Sequence, residues 1–238
     1  MTSLLERFGR SWSEAARDVV LIVVSILIAF ALDAWWDDQN ERRVEVEQIA
    51  TLLSEFRTAR DSLRSLSENI ERVSVATTRL LTLMGPEKSE SDSELLFRLL
   101  GTSLNFGGAA PKQTALISVL ANGNRLIESS NTLVDLLAGW PLEMEDIERD
   151  FSHLERNREI DLQAALIDVG VAGIGGLPVV EALGLPSPAF PAETDRLTRS
   201  VRVYAALSYR ALRLKILLEN VNTSSTKVDR IIMELERL

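Results

Sequence analysis

His153 is the one histidine in the chain, and there is no cysteine. It stands three residues after Asp150, the i, i+3 spacing of a helical metal half-site. A di-iron bundle needs two Glu-x-x-His motifs on facing helices. Zinc held by a single histidine usually takes cysteine thiolates as well. Neither complement exists, so no metal or cofactor is expected, and His153 reads as a surface or boundary residue. A Ser-His-Asp triad would need that same histidine, and no Gly-x-Ser-x-Gly elbow accompanies the serines. The run Glu143, Glu145, Asp146, Glu148 contains carboxylates that could act as acid and base. It sits where a helix is predicted to begin, so complementing the helix dipole is the simpler reading. Gly170, Gly173, Gly175 and Gly176 lack the Gly-Lys-Ser/Thr ending of a phosphate-binding loop. The residue types point away from an enzyme.

The elements that carry these residues begin with an apolar run. Val19 to Leu32 reads VVLIVVSILIAFAL, without charge or helix breaker. A spanning helix needs roughly 20 mostly apolar residues. Extension through Trp36 brings the run to that length, so residues 19–36 are predicted to be a transmembrane helix. Trp35 and Trp36 suit the headgroup zone and read as interfacial anchors, and Trp12 marks the other side. The rival is a cleaved signal peptide with Ala29-Phe30-Ala31 as its site. Glu6, Glu14 and Asp18 dilute the basic n-region that reading requires. Arg7, Arg10 and Arg17 precede the span, and Arg42 and Arg43 follow it. That bias favours a cytoplasmic N-terminus, residues 1–18, with the rest of the chain periplasmic and the span in the inner membrane. Asp18, Ile22, Ser25, Ala29 and Asp33 recur at helical spacing. Ser25-x-x-x-Ala29 is a small-xxx-small pair that lets another helix approach closely. These five residues are the expected packing face.

Residues 37–238 are expected to form one helical-bundle domain. No proline or glycine occurs from Glu41 to Met84, where two rows repeat every seven residues. One is Ile49, Phe56, Leu63, Ile70, Thr77 and Met84; the other is Leu52, Ala59, Leu66, Val73 and Leu80. This predicts a long packed helix over 41–84. The stretch 194–238 has the same character, with rows Tyr204, Ala211, Leu218, Ser225, Ile232 and Leu207, Leu214, Val221, Val228, Leu235. It is predicted to be one helix antiparallel to the first. Thr77 and Ser225 are polar intruders in these seams. The fold class is all-α.

Shorter helices are predicted between them, over 86–168. Ser91-Asp92-Ser93-Glu94 is a capping box, and Asn122-Gly123 is a turn. One short helix covers Leu126 to Leu137. Gly139 closes it, and Pro141 opens another running to about Ile167. The connection 169–191 is rich in glycine, proline and apolar residues. Val169, Val171, Ile174, Leu177, Val179 and Val180 could fill the end of the bundle. Alternatively they form an exposed loop that docks a partner.

The run Asp18-Val-Val-Leu-Ile-Val-Val-Ser25-Ile-Leu-Ile-Ala29-Phe-Ala-Leu-Asp33-Ala-Trp35 resembles the N-terminal signature of a family of uncharacterised bacterial single-span membrane proteins. That signature has an acidic residue, an apolar stretch with a central glycine, Ile-Leu-Ile-Ala, then Asp or Asn and a Trp. Ser25 replaces the glycine. The stretch from Thr114 through Arg158 is similar to the family's middle region. The resemblance implies a single-span membrane protein and carries over no catalytic residue.

The expected function is that of a non-enzymatic scaffold or accessory subunit of a larger membrane complex. Its expected partners are the bilayer and other membrane subunits or a second copy. The alternative is an extracytoplasmic sensor-type bundle that binds a small ligand. A net charge of −9 argues against nucleic acid, which wants a basic face.

Overall fold

A computed structural model describes residues 3–85, 93–171 and 194–238. Every regular element among them is helical: α1 (Ser3–Thr82), α2 (Ser93–Leu104), α3 (Thr114–Asn122), α4 (Arg125–Glu128), α5 (Asn131–Arg156), a π turn (Asn157–Leu162), α6 (Gln163–Asp168), α7 (Thr194–Arg199) and α8 (Val201–Leu235). The chain divides into two units, residues 1–50 and 51–238. The first is helical and contains the one helical stretch among the described residues that is long and apolar enough to cross a membrane.

The second unit is built on the seam of α1. Leu52, Phe56, Ala59, Leu63, Leu66, Ile70, Val73, Thr77, Leu80 and Met84 are all buried. Each large apolar member contributes roughly 1.5–3 kcal/mol by leaving water. α8 runs antiparallel to this part of α1. Arg57 pairs with Glu236, and Ser67 donates to Asn222. Farther along, the Gly85 N–H donates to the Thr198 carbonyl at 2.9 Å.

The buried face of α8 differs from the predicted one. Leu207, Leu214, Val221, Val228 and Leu235 are inside, but their companion row is Val203, Arg210, Leu217, Ser224 and Ile231. Tyr204 is exposed, and Ala211, Leu218 and Ser225 are only half-buried. The true row starts one residue earlier. Arg210 and Ser224 disguise it, because their side chains read as solvent-facing.

The C-terminal helical stretch also breaks once, without glycine or proline. Ser200 turns extended and its hydroxyl accepts from the Val203 N–H, so it caps α8 and separates it from α7.

α5 corrects a second expectation. It runs unbroken through Gly139 and Pro141. Pro141 costs one backbone hydrogen bond. Leu136, Leu137 and Trp140 before it and Met144 and Ile147 after it are all buried. Core packing on both sides of the proline outweighs that local loss. The acidic run Glu143 to Glu148 therefore lies inside a helix and cannot serve a helix N-terminus. Trp140 meets Phe56 edge to face, with ring centroids 5.2 Å apart.

The expected helix over Leu126 to Leu137 is two helices. Asn124 caps α4, accepting from the Leu126 and Ile127 N–H groups, and Ser130 caps α5. Gly123 adopts a left-handed φ of 75° at the expected turn. Ser91 and Asp92 of the capping box lie outside the described residues.

Candidate functional site

Two places in the molecule concentrate unusual chemistry. One is the apolar run of the first unit, the other a set of buried polar groups in the second.

Within the first unit, Val19 to Trp36 is exposed along its whole length. Val19, Ile22, Leu27 and Phe30 each show more than half of their surface. Ser25 and Ala29 stand one turn apart on the helix, and Asp33 follows another turn on. The Ser25 hydroxyl donates to the Leu21 carbonyl at 2.7 Å. Its polarity is thus spent within the helix, and it presents a small apolar surface outward. Ala29 and Asp33 line a shallow, open notch together with the bulkier Ile26, Phe30, Leu32, Trp35 and Trp36. Trp35 and Trp36 are exposed. No cation pairs with Asp33 among the described residues; the first ion pair beyond it joins Arg42 to Asp38. Asp18 lies on the same helix, and its side chain is outside the described ones.

The polar groups of the second unit lie between α5 and α8. Glu143 Oε1 accepts from Lys227 Nζ at 2.7 Å, and Glu143 Oε2 accepts from the Ser224 hydroxyl at 3.1 Å. Asp150 accepts from the Arg213 guanidinium, and from Asn220 Nδ2 at 2.8 Å. Next, Arg210 donates through Nη1 to the Leu154 carbonyl at 3.1 Å, and Asn157 Nδ2 donates to the Ala206 carbonyl at 3.2 Å. Residue numbers rise on α5 as they fall on α8, so these rungs fix an antiparallel register.

Arg210 is the centre of this set. It is 1% exposed, and its Nε donates to the Ser103 carbonyl at 2.8 Å. The guanidinium is held by two carbonyls, one in the last turn of α2, where the helix dipole is negative, and one just before α5 passes into the π turn. Burial, followed by the charge of Arg158, lowers its pKa from the usual arginine range to about 10. Ser103 also meets Thr77, hydroxyl to hydroxyl at 2.7 Å. The Thr77 hydroxyl donates to the Val73 carbonyl, so Ser103 is the donor of that pair. The polar intruder Thr77 thereby joins α1 to α2. Immediately after Leu154 the chain widens into the π turn, where Gln163 N–H reaches back five residues to the Arg158 carbonyl. Such turns loosen the regular ladder, and Asn157 in its first position is buried against α8.

These groups are committed to one another and to the backbone. Asp150, half of the His153 motif, is consumed by Arg213 and Asn220. Among the described residues no three His, Asp or Glu side chains converge on a metal position. What the arrangement does chemically is hold three elements in register.

The glycine-rich segment begins with a helix stop. Gly170 has φ 79°. The Val171 N–H bonds the Leu166 carbonyl and the Gly170 N–H bonds the Ile167 carbonyl, the paired bonds of a Schellman ending. Val169 and Val171 are buried with Leu80, Met84, Leu96 and Leu197. This corrects the docking reading for those two residues, which fill the core instead. Ile174, Leu177, Val179 and Val180 lie outside the described residues.

Arg210, Asn157 and Ser224 escaped the sequence reading. Positions 210 and 224 share a heptad row with Val203, Leu217 and Ile231, but the charge of Arg210 and the hydroxyl of Ser224 made that row look solvent-facing. Nothing local marks Asn157. No family model, curated protein or solved structure matches the chain.

Proposed function

We propose that this chain is a single-span membrane protein that serves as a scaffold or accessory subunit of a larger membrane complex. In this reading the N-terminus is cytoplasmic, Val19 to Trp36 crosses the inner membrane, and the helical domain stands in the periplasm. The observation that carries it is the apolar run whose side chains all face outward. Each exposed Val, Leu, Ile or Phe there forgoes roughly 1.5–3 kcal/mol in water, so lipid or another helix must cover it. The domain beyond the run spends its buried polar groups on its own register, as a structural module does.

The test is extraction of native membranes with a mild detergent, followed by blue native electrophoresis and chemical cross-linking of the intact chain. A defined higher-mass band containing this protein at fixed stoichiometry is expected. A monomer with no cross-linked neighbour would sink the subunit reading, and release by alkaline carbonate would sink the membrane reading. Protease added to intact spheroplasts should digest the C-terminal domain; full protection would reverse the orientation.

A further inference from the structure

Thr77 on α1, Ser103 on α2, Arg210 on α8 and Asn157 in the π turn after α5 are all buried. A chain of bonds links them across the second unit. The hydroxyls of Thr77 and Ser103 meet at 2.7 Å. The Ser103 carbonyl accepts from Arg210 Nε at 2.8 Å, and Arg210 Nη1 reaches the Leu154 carbonyl at 3.1 Å. One turn away on α8, the Ala206 carbonyl accepts from Asn157 Nδ2 at 3.2 Å. This polar layer interrupts the core. On its far side Leu80, Leu96, Leu100, Leu162, Leu166 and Leu207 belong to one apolar cluster. On its near side Val73, Ile147 and Leu214 are buried.

The helices respect the same plane. α2 reaches the layer with its last turn. α5 gives way to the π turn there, and α6 follows on the far side. α7 belongs to the far side through Leu197. Only α1 and α8 pass through the layer as regular α-helices. The ion-paired rungs of Glu143 and Asp150 stand on the near side.

Separation at this plane carries a compensation that other planes lack. The Arg210 guanidinium bonds two carbonyls and, among the described residues, no carboxylate. Asn157 Oδ1 is buried with no hydrogen-bond partner among those residues. Both regain hydration when the plane opens, which offsets part of the apolar exposure. The π turn has already loosened the helical ladder that crosses it. A break farther down would part the ion-paired rungs and expose apolar side chains without that return.

We propose that the far end of the domain, α2, α6 and α7 with the adjoining ends of α1 and α8, opens as one cooperative unit at this layer while the near side stays folded. Sub-global openings follow contiguous packed units of this kind. The opening uncovers the far apolar cluster, so the fold holds a switchable apolar surface at this end. It does not depend on the membrane-subunit reading.

Hydrogen exchange of the native full chain in detergent micelles, resolved by peptide mass spectrometry, tests this. Amides of α2, α6 and residues 203–207 should share one protection level, at least about tenfold below that of residues 144–154 and 214–228. The step should fall between Leu207 and Leu214 on α8, and between Val73 and Leu80 on α1. Leu137 is buried on the near side. Leu137→Ala should speed near-side exchange on the order of a hundredfold and leave the far-side amides unchanged. Leu100→Ala, in the far cluster, should speed both sides, because both openings expose that position. Ile147→Val is the milder near-side variant should Leu137→Ala fail to fold, with the same contrast at about fivefold.

Far-side amides that accelerate in step with the near side in the Leu137 or Ile147 variant would reveal a single cooperative unit and overturn the proposal. So would equal protection on both sides, or a step at another level. Protection that declines gradually towards residues 84 and 201 would also overturn it, since that is fraying of helix ends.

Discussion

Removing the carboxylate of Asp150 should test whether the α5–α8 rungs hold the domain together. Its side chain is 6% exposed and that of Arg213 is 18% exposed. In Asp150→Ala the Arg213 guanidinium stays in the interface with no counter-charge, and its Nε already lacks a protein partner. Stranding one member of a buried pair costs about 3–5 kcal/mol. Asn220 loses an acceptor as well, worth about 1 kcal/mol. Against a total stability of roughly 5–15 kcal/mol, the variant should be severely weakened. Arg213→Met strands the carboxylate instead and should cost a similar amount. The double variant leaves neither charge, so its cost should fall short of the sum of the singles by about 2–3 kcal/mol. The assay is urea unfolding of the full chain in detergent micelles, followed by far-ultraviolet circular dichroism and extrapolated to water. The comparison is Arg57→Gln, which breaks the half-exposed pair with Glu236 and should cost no more than about 1 kcal/mol. A coupling below about 0.5 kcal/mol, or an Asp150→Ala cost no larger than that of Arg57→Gln, would refute the reasoning.

Other outcomes follow from the same packing. Trp140 is 1% exposed, so Trp140→Ala should cost about 3–5 kcal/mol; a thermal midpoint within a degree or so of wild type would contradict this. Gly170→Ala forces a side chain into φ 79° and should cost about 1–2 kcal/mol, measurable in the same urea titration. Arg210 gives a pH dependence. Its folded-state pKa is lowered to about 10, below the usual arginine value, so between the two the unfolded chain binds more protons. Its contribution to stability therefore rises with pH across that window and is flat below it. The stability of wild type relative to Arg210→Met should improve above about pH 10; a difference that stays constant or falls there would be the contrary result.

The helical fold was legible in the chain because its signals are local and periodic. The α1 seam from Leu52 to Met84 is predicted position by position, and Val19 to Leu32 declares itself by composition alone. The turn at Gly123 needs a left-handed residue, and glycine supplies it. The spacing of Ser25, Ala29 and Asp33 can be read from the sequence, while the bond from the Ser25 hydroxyl to the Leu21 carbonyl is seen only in the structure.

Other features could not be read locally. Pro141 predicts a break, but buried side chains on both sides of it keep α5 whole. Ser200 predicts nothing, and a single cap bond ends one helix there and starts the next. Val169 and Val171 look available for docking until Leu80, Met84, Leu96 and Leu197 close over them.

The sequence by itself determined that the chain is helical, which face of α1 is apolar, and that one segment is apolar enough to cross a membrane. Those properties follow from each residue's own transfer energy and from the helical period. Only the tertiary structure decided which face of α8 turns inward. Arg210 costs too much to bury alone, and it is interior because the carbonyls of Ser103 and Leu154, distant in the chain, accept hydrogen bonds from its guanidinium. That compensation is set by where other helices end, which no stretch of sequence around Arg210 can state.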